Sequence, residues 1–248
     1  MDLGQEIDEA LEFVEVFSFT LFGHRIGVTE TVVVTWLVMA LILIPAFLWT
    51  RRLKTVPRGA QALVESGVEF LNGFSKKQFG RRAKTYGPFI GALFLLLFMA
   101  NIVPVLSPVA LRLGGQFYRP GFTIKPPARD INFAAALSVL SIVIVLAGGL
   151  AARGPGGWAK KLFHPMPMML PFNLMEYVIR PLSLCLRLFG NILGGFIIMR
   201  LVEAVVPIGI PPALGLYFDF FDGLIQALVF TFLTTLFIAE AVETETES

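Results

Sequence analysis

The chain alternates long uncharged stretches with shorter charged ones. Residues 31–50 (TVVVTWLVMALILIPAFLWT), 85–111 and 131–152 contain no Asp, Glu, Lys or Arg. A helix needs about 20 apolar residues to cross the hydrocarbon core of a bilayer, which is about 30 Å thick. The pattern therefore predicts transmembrane helices over residues 28–50, 86–108 and 131–152.

The last third of the chain is also apolar, but it carries charges inside its apolar segments. Residues 166–206 and 211–242 are predicted as two long membrane helices, and the Pro/Gly-rich connector PIGIPP makes them a helical hairpin. A helix of about 40 residues would be about 60 Å long at 1.5 Å per residue, about twice the hydrocarbon thickness. The first of the two must therefore be tilted, bent or broken.

The remaining segments are assigned to the membrane surface and the two aqueous sides. Residues 57–82 have one apolar face but several charges, which predicts an interfacial amphipathic helix. Lys and Arg are concentrated between the first two spans and after the third, so the positive-inside rule places those segments in the cytoplasm. The N-terminal segment 1–27 and the loop 109–130 then lie outside, and the tail 243–248 is cytoplasmic. The predicted fold class is an all-α integral membrane protein.

The composition supports this assignment and excludes several other classes. Of 248 residues 56% are hydrophobic and 15% are charged, whereas soluble domains have about 25% charged residues. The formal net charge of +2 offers no basic excess for nucleic acid. One cysteine and two histidines supply neither an intrachain disulfide nor a zinc site, so no metal and no cofactor is predicted.

The charges inside the last two helices lie on defined faces. With about 100° between successive residues, Glu176, Arg180, Arg187 and Asn191 fall within about 60° of one another. In the final helix Asp219, Asp222, Gln226 and Glu240 likewise share one face. Charged groups in a membrane cost about 2.5–3.5 kcal/mol at the helix centre on insertion scales, so they usually face protein or water.

Most of these residues also have a purely structural interpretation. Glu176 and Arg180 are spaced to form a simple ion pair, and Asn191 and Gln226 could join helices by hydrogen bonds. Asp222 could cap a helix. Glu203, three residues after Arg200, could anchor the helix end at the interface. For Arg187 this interpretation is weakest, because a guanidinium stays charged and no carboxylate lies within four residues of it.

The run PLSLCLRLFGN at residues 181–191 and the C-terminal GLIQALVFTFLTTLFIAEAVE resemble subunit a, the ion-channel subunit of rotary F-type ATP synthases. The resemblance implies a bacterial inner membrane protein without catalytic activity of its own. Its implied partners are a ring of small hairpin c subunits, the peripheral-stalk b subunits, other synthase subunits and the lipid bilayer.

The resemblance also implies roles for single residues. Arg187 matches the essential arginine that faces the ring carboxylates and separates two ion half-channels. Asn191 and Gln226 match the polar residues beside that arginine. Glu176 matches the acid that precedes the arginine, with about one turn less between them, and Asp219 matches a position that commonly holds a proton-handling His or acid.

One position departs from the family. Many relatives have Glu or His directly after a pair of small residues, whereas here Phe196 follows Gly194 and Gly195. The acid of that half-channel is then absent or supplied by Glu203, Asp219 or Asp222. Two other classes remain open: a secondary transporter or channel acting alone, for which no internal repeat is evident, and a membrane scaffold, which would not need Arg187.

Overall fold

The chain folds into a β-hairpin followed by a bundle of long helices. The computed structural model describes residues 15–21, 24–51, 57–106, 126–163, 166, 168, 170–206, 214 and 217–243. The hairpin pairs strands β1 (Glu15–Leu21) and β2 (His24–Thr29) antiparallel. The helices are α1 (Glu30–Thr50), α2 (Ala60–Phe79), α3 (Ala83–Leu106), α4 (Ile131–Phe163), α5 (Leu170–Val205) and α6 (Gly223–Val242).

Five helical stretches are long and apolar enough to cross a membrane. They are Glu30–Leu48, Ala60–Val103, Ile131–Lys160, Leu170–Met199 and Phe220–Val242. The predicted fold class, an all-α integral membrane protein, is confirmed, and the chain is a multi-pass membrane protein. The β-hairpin was not anticipated from the sequence, and it leads directly into α1.

Proline and glycine residues lie inside the long helices, and α4 extends beyond its predicted end at residue 152. Pro45 lies inside α1 and Pro181 lies inside α5. The sequence predicted a loop after residue 152, but helical structure resumes after Gly154, whose φ of 70° interrupts α4. That left-handed conformation suits glycine, and a proline follows it at position 155. Two short 3₁₀ turns, Gly80–Arg82 and Pro127–Arg129, introduce α3 and α4.

The core of the bundle lies between α3, α4, α5 and α6. Its largest cluster joins Leu97 of α3, Leu137 of α4, Leu188 of α5 and Phe230 of α6, all buried. Helix α4 packs along both α5 and α6, whereas α5 and α6 touch each other through fewer residues. The predicted hairpin partners therefore share α4 as a common neighbour, while their connecting residues 207–213 lie outside the described residues.

Small and hydroxylated residues allow these helices to approach closely. The Thr234 hydroxyl of α6 donates to the Ser141 hydroxyl of α4 at 3.4 Å, and both side chains are buried. Asn101 of α3 donates its amide to the Gly223 carbonyl at 3.2 Å. In a membrane, where lipid is as apolar as a leucine face, such contacts contribute directly to helix association.

Gly223→Ala is expected to destabilise the bundle by about 1–3 kcal/mol, because overpacking displaces helix backbones. A Cβ atom at position 223 would lie 2.8 Å from the Asn101 Cβ atom, well inside van der Waals contact. The loss of helical circular dichroism on heating in detergent measures the effect. Gly91→Ala is the control, since a Cβ atom there meets nothing within 4 Å; equal midpoints for the two variants would contradict the prediction.

Candidate functional site

The polar stripe of α5 runs along the border between its packed face and its open face. Leu184 and Leu188 are buried against α4 and α6, whereas Leu182 and Leu186 are exposed. The stripe lies between these two sets on the helix surface. Side chains of the stripe can therefore meet both the bundle and whatever covers the open face.

Arg187 lies in the middle of this stripe with its side chain exposed. It has no ion pair and no side-chain hydrogen bond among the residues that the structure describes. The neighbouring stripe members on both sides do have partners. Arg187 is therefore positioned to interact with a group outside the described part of the chain.

On one side of Arg187, Arg180 binds two carboxylates. Its Nη2 atom lies 2.6 Å from Oε2 of Glu176 and 2.9 Å from Oε2 of Glu240. The Glu176–Arg180 pair is the one that the four-residue spacing allowed, and Glu240 joins it from α6. The three residues are called the Arg180 cluster below.

On the other side of Arg187, Asn191 donates its amide to Oδ2 of Asp222 at 2.7 Å. Asp222 ends a π-helical turn, Tyr217–Asp222, that leads into α6. A Cβ atom on Gly195 would lie 3.4 Å from the Phe218 ring, so this turn packs closely on α5. π-helical turns interrupt regular helices and are frequent at functional sites.

Of the three remaining candidate residues, the structure describes the side chain of Gln226 but only the backbones of Asp219 and Glu203. Gln226 is only 3% exposed, and its Nε2 atom has no hydrogen-bond partner among the described residues. It is thus buried in the bundle instead of lining the open face. The backbones of Asp219 and Glu203 belong to the π-helical turn and to α5, but their side chains lie outside what the structure describes.

Phe196, at the position where the family often has an acid, is covered by a buried arginine. The guanidinium of Arg129 lies 3.8 Å from the centroid of the Phe196 ring. Arg129 belongs to the 3₁₀ turn before α4, and Asp130 next to it accepts hydrogen bonds from Asn132. This position is therefore occupied by an aromatic–cation contact that the sequence analysis did not foresee.

The structure brings together residues that sequence reasoning left apart. Glu240 was placed on the polar face of the last helix, but its partner Arg180 is 60 residues away. Arg129 lies at the end of the predicted outer loop 109–130, for which the sequence analysis proposed no contact. In the sequence, the one indication that Glu240 belongs to the site was that it shares a helix face with Asp222 and Gln226. No group of His, Cys, Asp and Glu suited to a metal ion occurs in the described ranges.

Long apolar helices with an exposed arginine flanked by carboxylate groups define a multi-pass membrane protein with a polar path along one helix. The family model described as ATP synthase A chain matches residues 32–239. The chain therefore belongs to the ATP synthase A chain family, and the resemblance recognised from its sequence is confirmed.

Two curated relatives match most of this chain. It is 34% identical over 229 residues to a protein of Moorella thermoacetica named ATP synthase subunit a, covering 92% of this chain and 96% of that protein. It is 35% identical over 216 residues to a protein of Propionigenium modestum named ATP synthase subunit a, sodium ion specific. This match covers 87% of this chain and 74% of that protein.

Proposed function

We propose that this chain is the membrane-sector subunit a of an F-type ATP synthase and forms two ion half-channels against a rotating ring. Its partners are the ring of c subunits, the peripheral-stalk b subunits and the other synthase subunits, and it has no catalytic site of its own. One observation carries the proposal: the exposed Arg187, which has no ion pair among the described residues, lies on one face of α5 between Arg180 with its carboxylate partners and Asn191 with Asp222.

Arg187 separates the two half-channels by its fixed charge. A guanidinium remains protonated at physiological pH, so it attracts a ring carboxylate in its ionised form and repels a passing cation. Ions therefore cannot pass directly from one half-channel to the other. Because Arg187 makes no ion pair within the described part of the chain, its charge is available to each ring site that passes.

The outer half-channel is supplied by acids near the end of α5 and the start of α6. A cation enters past some of Glu203, Asp219 and Asp222 and neutralises a ring carboxylate that Arg187 has released. The neutral site then rotates through lipid, where a charged carboxylate would cost several kcal/mol. After nearly a full turn the cation leaves through the inner half-channel beside Glu176.

The polar neighbours of Arg187 have supporting roles in this mechanism. Asn191 bonds Asp222 and thereby ties α5 to the π-helical turn close to Arg187. The amide of Gln226, buried in α6, supports the same region from inside the bundle.

Moving one charge through 100 mV supplies about 2.3 kcal/mol, so several ions must pass for each ATP made.

The proposed location is the bacterial inner membrane, with the N-terminus outside and the C-terminus in the cytoplasm. The excess of Lys and Arg between the first two spans and after the third supports this orientation. The Arg180 cluster then lies toward the cytoplasmic side, because α5 begins and α6 ends there. The proposal includes proton or sodium as the transported ion.

The purified chain alone in liposomes is expected to move neither protons nor sodium ions, whereas the complete synthase containing it pumps ions when ATP is added. The reason is that each half-channel ends at a ring carboxylate, which the chain alone does not provide. Ion-sensitive dyes inside the liposomes measure both rates. Transport by the chain alone at the rate of the complex would favour a separate transporter or channel and contradict the proposal.

A further inference from the structure

One end of the bundle, where α3 begins and α6 ends, carries a concentration of positive charge. None of the basic residues there has an ion pair within the described part of the chain. Exposed lysines alone would follow from the positive-inside rule, but this group also contains two arginines with buried nitrogen atoms. The group, called the basic end below, consists of Lys76, Lys77, Arg81, Arg82, Lys84, Arg153 and Lys160.

Packing gathers the basic end around the last turn of α6. Ala83 of α3 and Ala152 of α4 both pack against the buried cluster that contains Val242. Arg82 directly precedes Ala83, and Arg153 directly follows Ala152, so both arginines lie beside this turn. The α2–α3 junction and α4 therefore present their charges at one place, although they are far apart in the sequence.

The two arginines have buried donors that no described residue satisfies. Nη1 of Arg82 and Nε of Arg153 are buried and have no hydrogen-bond partner among the described residues. Nη2 of Arg153 donates to the backbone carbonyl of Glu243, so only part of that guanidinium is satisfied. A buried N–H group of a charged side chain is costly in free energy unless an acceptor reaches it. Both arginines therefore indicate an anionic acceptor from outside the described part of the chain.

Exposed apolar side chains accompany the basic end. Val64, Val68 and Phe70 of α2 are 42%, 47% and 65% exposed, and Phe163 at the end of α4 is 48% exposed. Helix α2 thus combines exposed apolar side chains with basic residues in its last turn. Lipid acyl chains can cover the apolar side chains while a lipid phosphate binds the basic ones, whereas a free phosphate would use the basic ones alone.

We propose that the basic end binds the headgroup of an anionic phospholipid, and that Arg82 and Arg153 donate hydrogen bonds to its phosphate oxygens. A guanidinium is suited to this role, because it stays charged and presents several donors in one plane. Basic residues between membrane helices on the cytoplasmic side are a common setting for such headgroups, and the proposed orientation places this end there. Lipid binding at this site does not depend on ion transport by the chain.

Two tryptophans allow the site to be tested by fluorescence. The Cδ1 atom of Trp158 lies 3.4 Å from the position that a Cβ atom on Gly149 would take, and that position lies 3.6 Å from the carbonyl oxygen of Ala241. Trp158 therefore lies beside the end of α6. Trp36 is 51% exposed on α1, whose buried face packs on Ala100, about 25 Å along α3 from its start.

The test places the full chain, with Trp158 as its only tryptophan, in vesicles that contain brominated phosphatidylglycerol or brominated phosphatidylcholine. Bromine quenches an indole that it contacts, so the two quenching curves give the relative affinity for the anionic lipid. The salt concentration is about 1 M, where the Debye length of about 3 Å screens the exposed lysines. Trp158 is expected to prefer the anionic lipid at least about 10-fold, as charge-assisted hydrogen bonds allow. A chain with Trp36 as its only tryptophan should show no preference.

Charge variants separate the two arginines from the surface lysines. Arg82→Gln and Arg153→Gln are each expected to lower the preference at Trp158 about 10-fold. Lys84→Gln is the matched control, since it removes an exposed charge two residues from Arg82 and should leave the preference unchanged. Arg82→Lys keeps the charge and should lose less than Arg82→Gln. Unchanged quenching by brominated phosphatidylcholine shows that a variant has kept its fold.

Four outcomes would overturn the proposal. The first is equal quenching of Trp158 by the two lipids, and the second is an equal loss for Lys84→Gln and Arg82→Gln, which indicates diffuse surface charge. Loss of the preference in excess inorganic phosphate would assign the site to a free anion. A preference that appears only in a chain with Glu245→Gln and Glu247→Gln would assign the site to the acidic C-terminal residues.

Discussion

Arg187→Gln is expected to reduce ATP-driven ion pumping by at least about 100-fold while the complex still assembles. A carboxylate about 4 Å from the guanidinium gains about 4 kcal/mol at an effective dielectric constant of about 20. Each 1.36 kcal/mol corresponds to about a tenfold change, so loss of this attraction removes the discrimination between the two half-channels. Assembly should persist, because Arg187 has no ion pair or side-chain hydrogen bond within the described part of the chain.

Pumping is measured with an ion-sensitive dye in liposomes, and assembly by recovery of the partner subunits with a tagged chain. Arg51→Gln is the control, since Arg51 lies at the end of α1 over the Phe47 ring and away from α5. Arg187→Lys keeps the charge without the planar guanidinium, and it should lose less than the Gln variant. Wild-type pumping by Arg187→Gln would exclude a channel-separating role and favour a scaffold.

The helical spans could be predicted because the membrane imposes a strong rule on composition. A charged residue within the hydrocarbon region is costly in free energy. The uncharged stretches in α1, α3 and α4 therefore mark membrane segments directly. The same rule says nothing about which helices are neighbours. Lipid-facing and helix-facing positions are both apolar, so the sequence did not show that α4 packs against both α5 and α6.

The candidate site was partly predictable for a related reason. Charges within α5 are rare, so helical spacing alone placed Glu176, Arg180 and Arg187 on one face. Contacts between different helices depend on their packing and register, which the spacing within one helix does not determine. For this reason the Arg180–Glu240 pair and the Arg129–Phe196 contact emerged only from the structure. The β-hairpin was missed because segment 1–27 was judged by its acidic residues, although Phe17, Phe19 and Leu21 alternate with Ser18 and Thr20 in β1.

Asp219→Asn is expected to slow ion transport through the complex about 100-fold, the lower end of the effect of a positioned proton-transfer group. Asp219 lies in the π-helical turn that packs against α5 near Gly195. Seven residues separate it from Gln226, a spacing that in the sequence predicts one shared face for a regular α-helix. Asn can neither accept a proton at this position nor balance the charge of a passing cation.

Asp222→Asn is the matched comparison, because it makes the same change in the same turn. Asp222 already accepts a hydrogen bond from Asn191 at 2.7 Å, and the carbonyl of Asn at position 222 could still accept it. Its transport rate should therefore fall less than that of Asp219→Asn. The rate is measured in both directions, with the cation supplied on the outer side during ATP synthesis. A wild-type rate for Asp219→Asn would remove that residue from the path, and a larger loss for Asp222→Asn would move the outer half-channel to the Asn191–Asp222 pair.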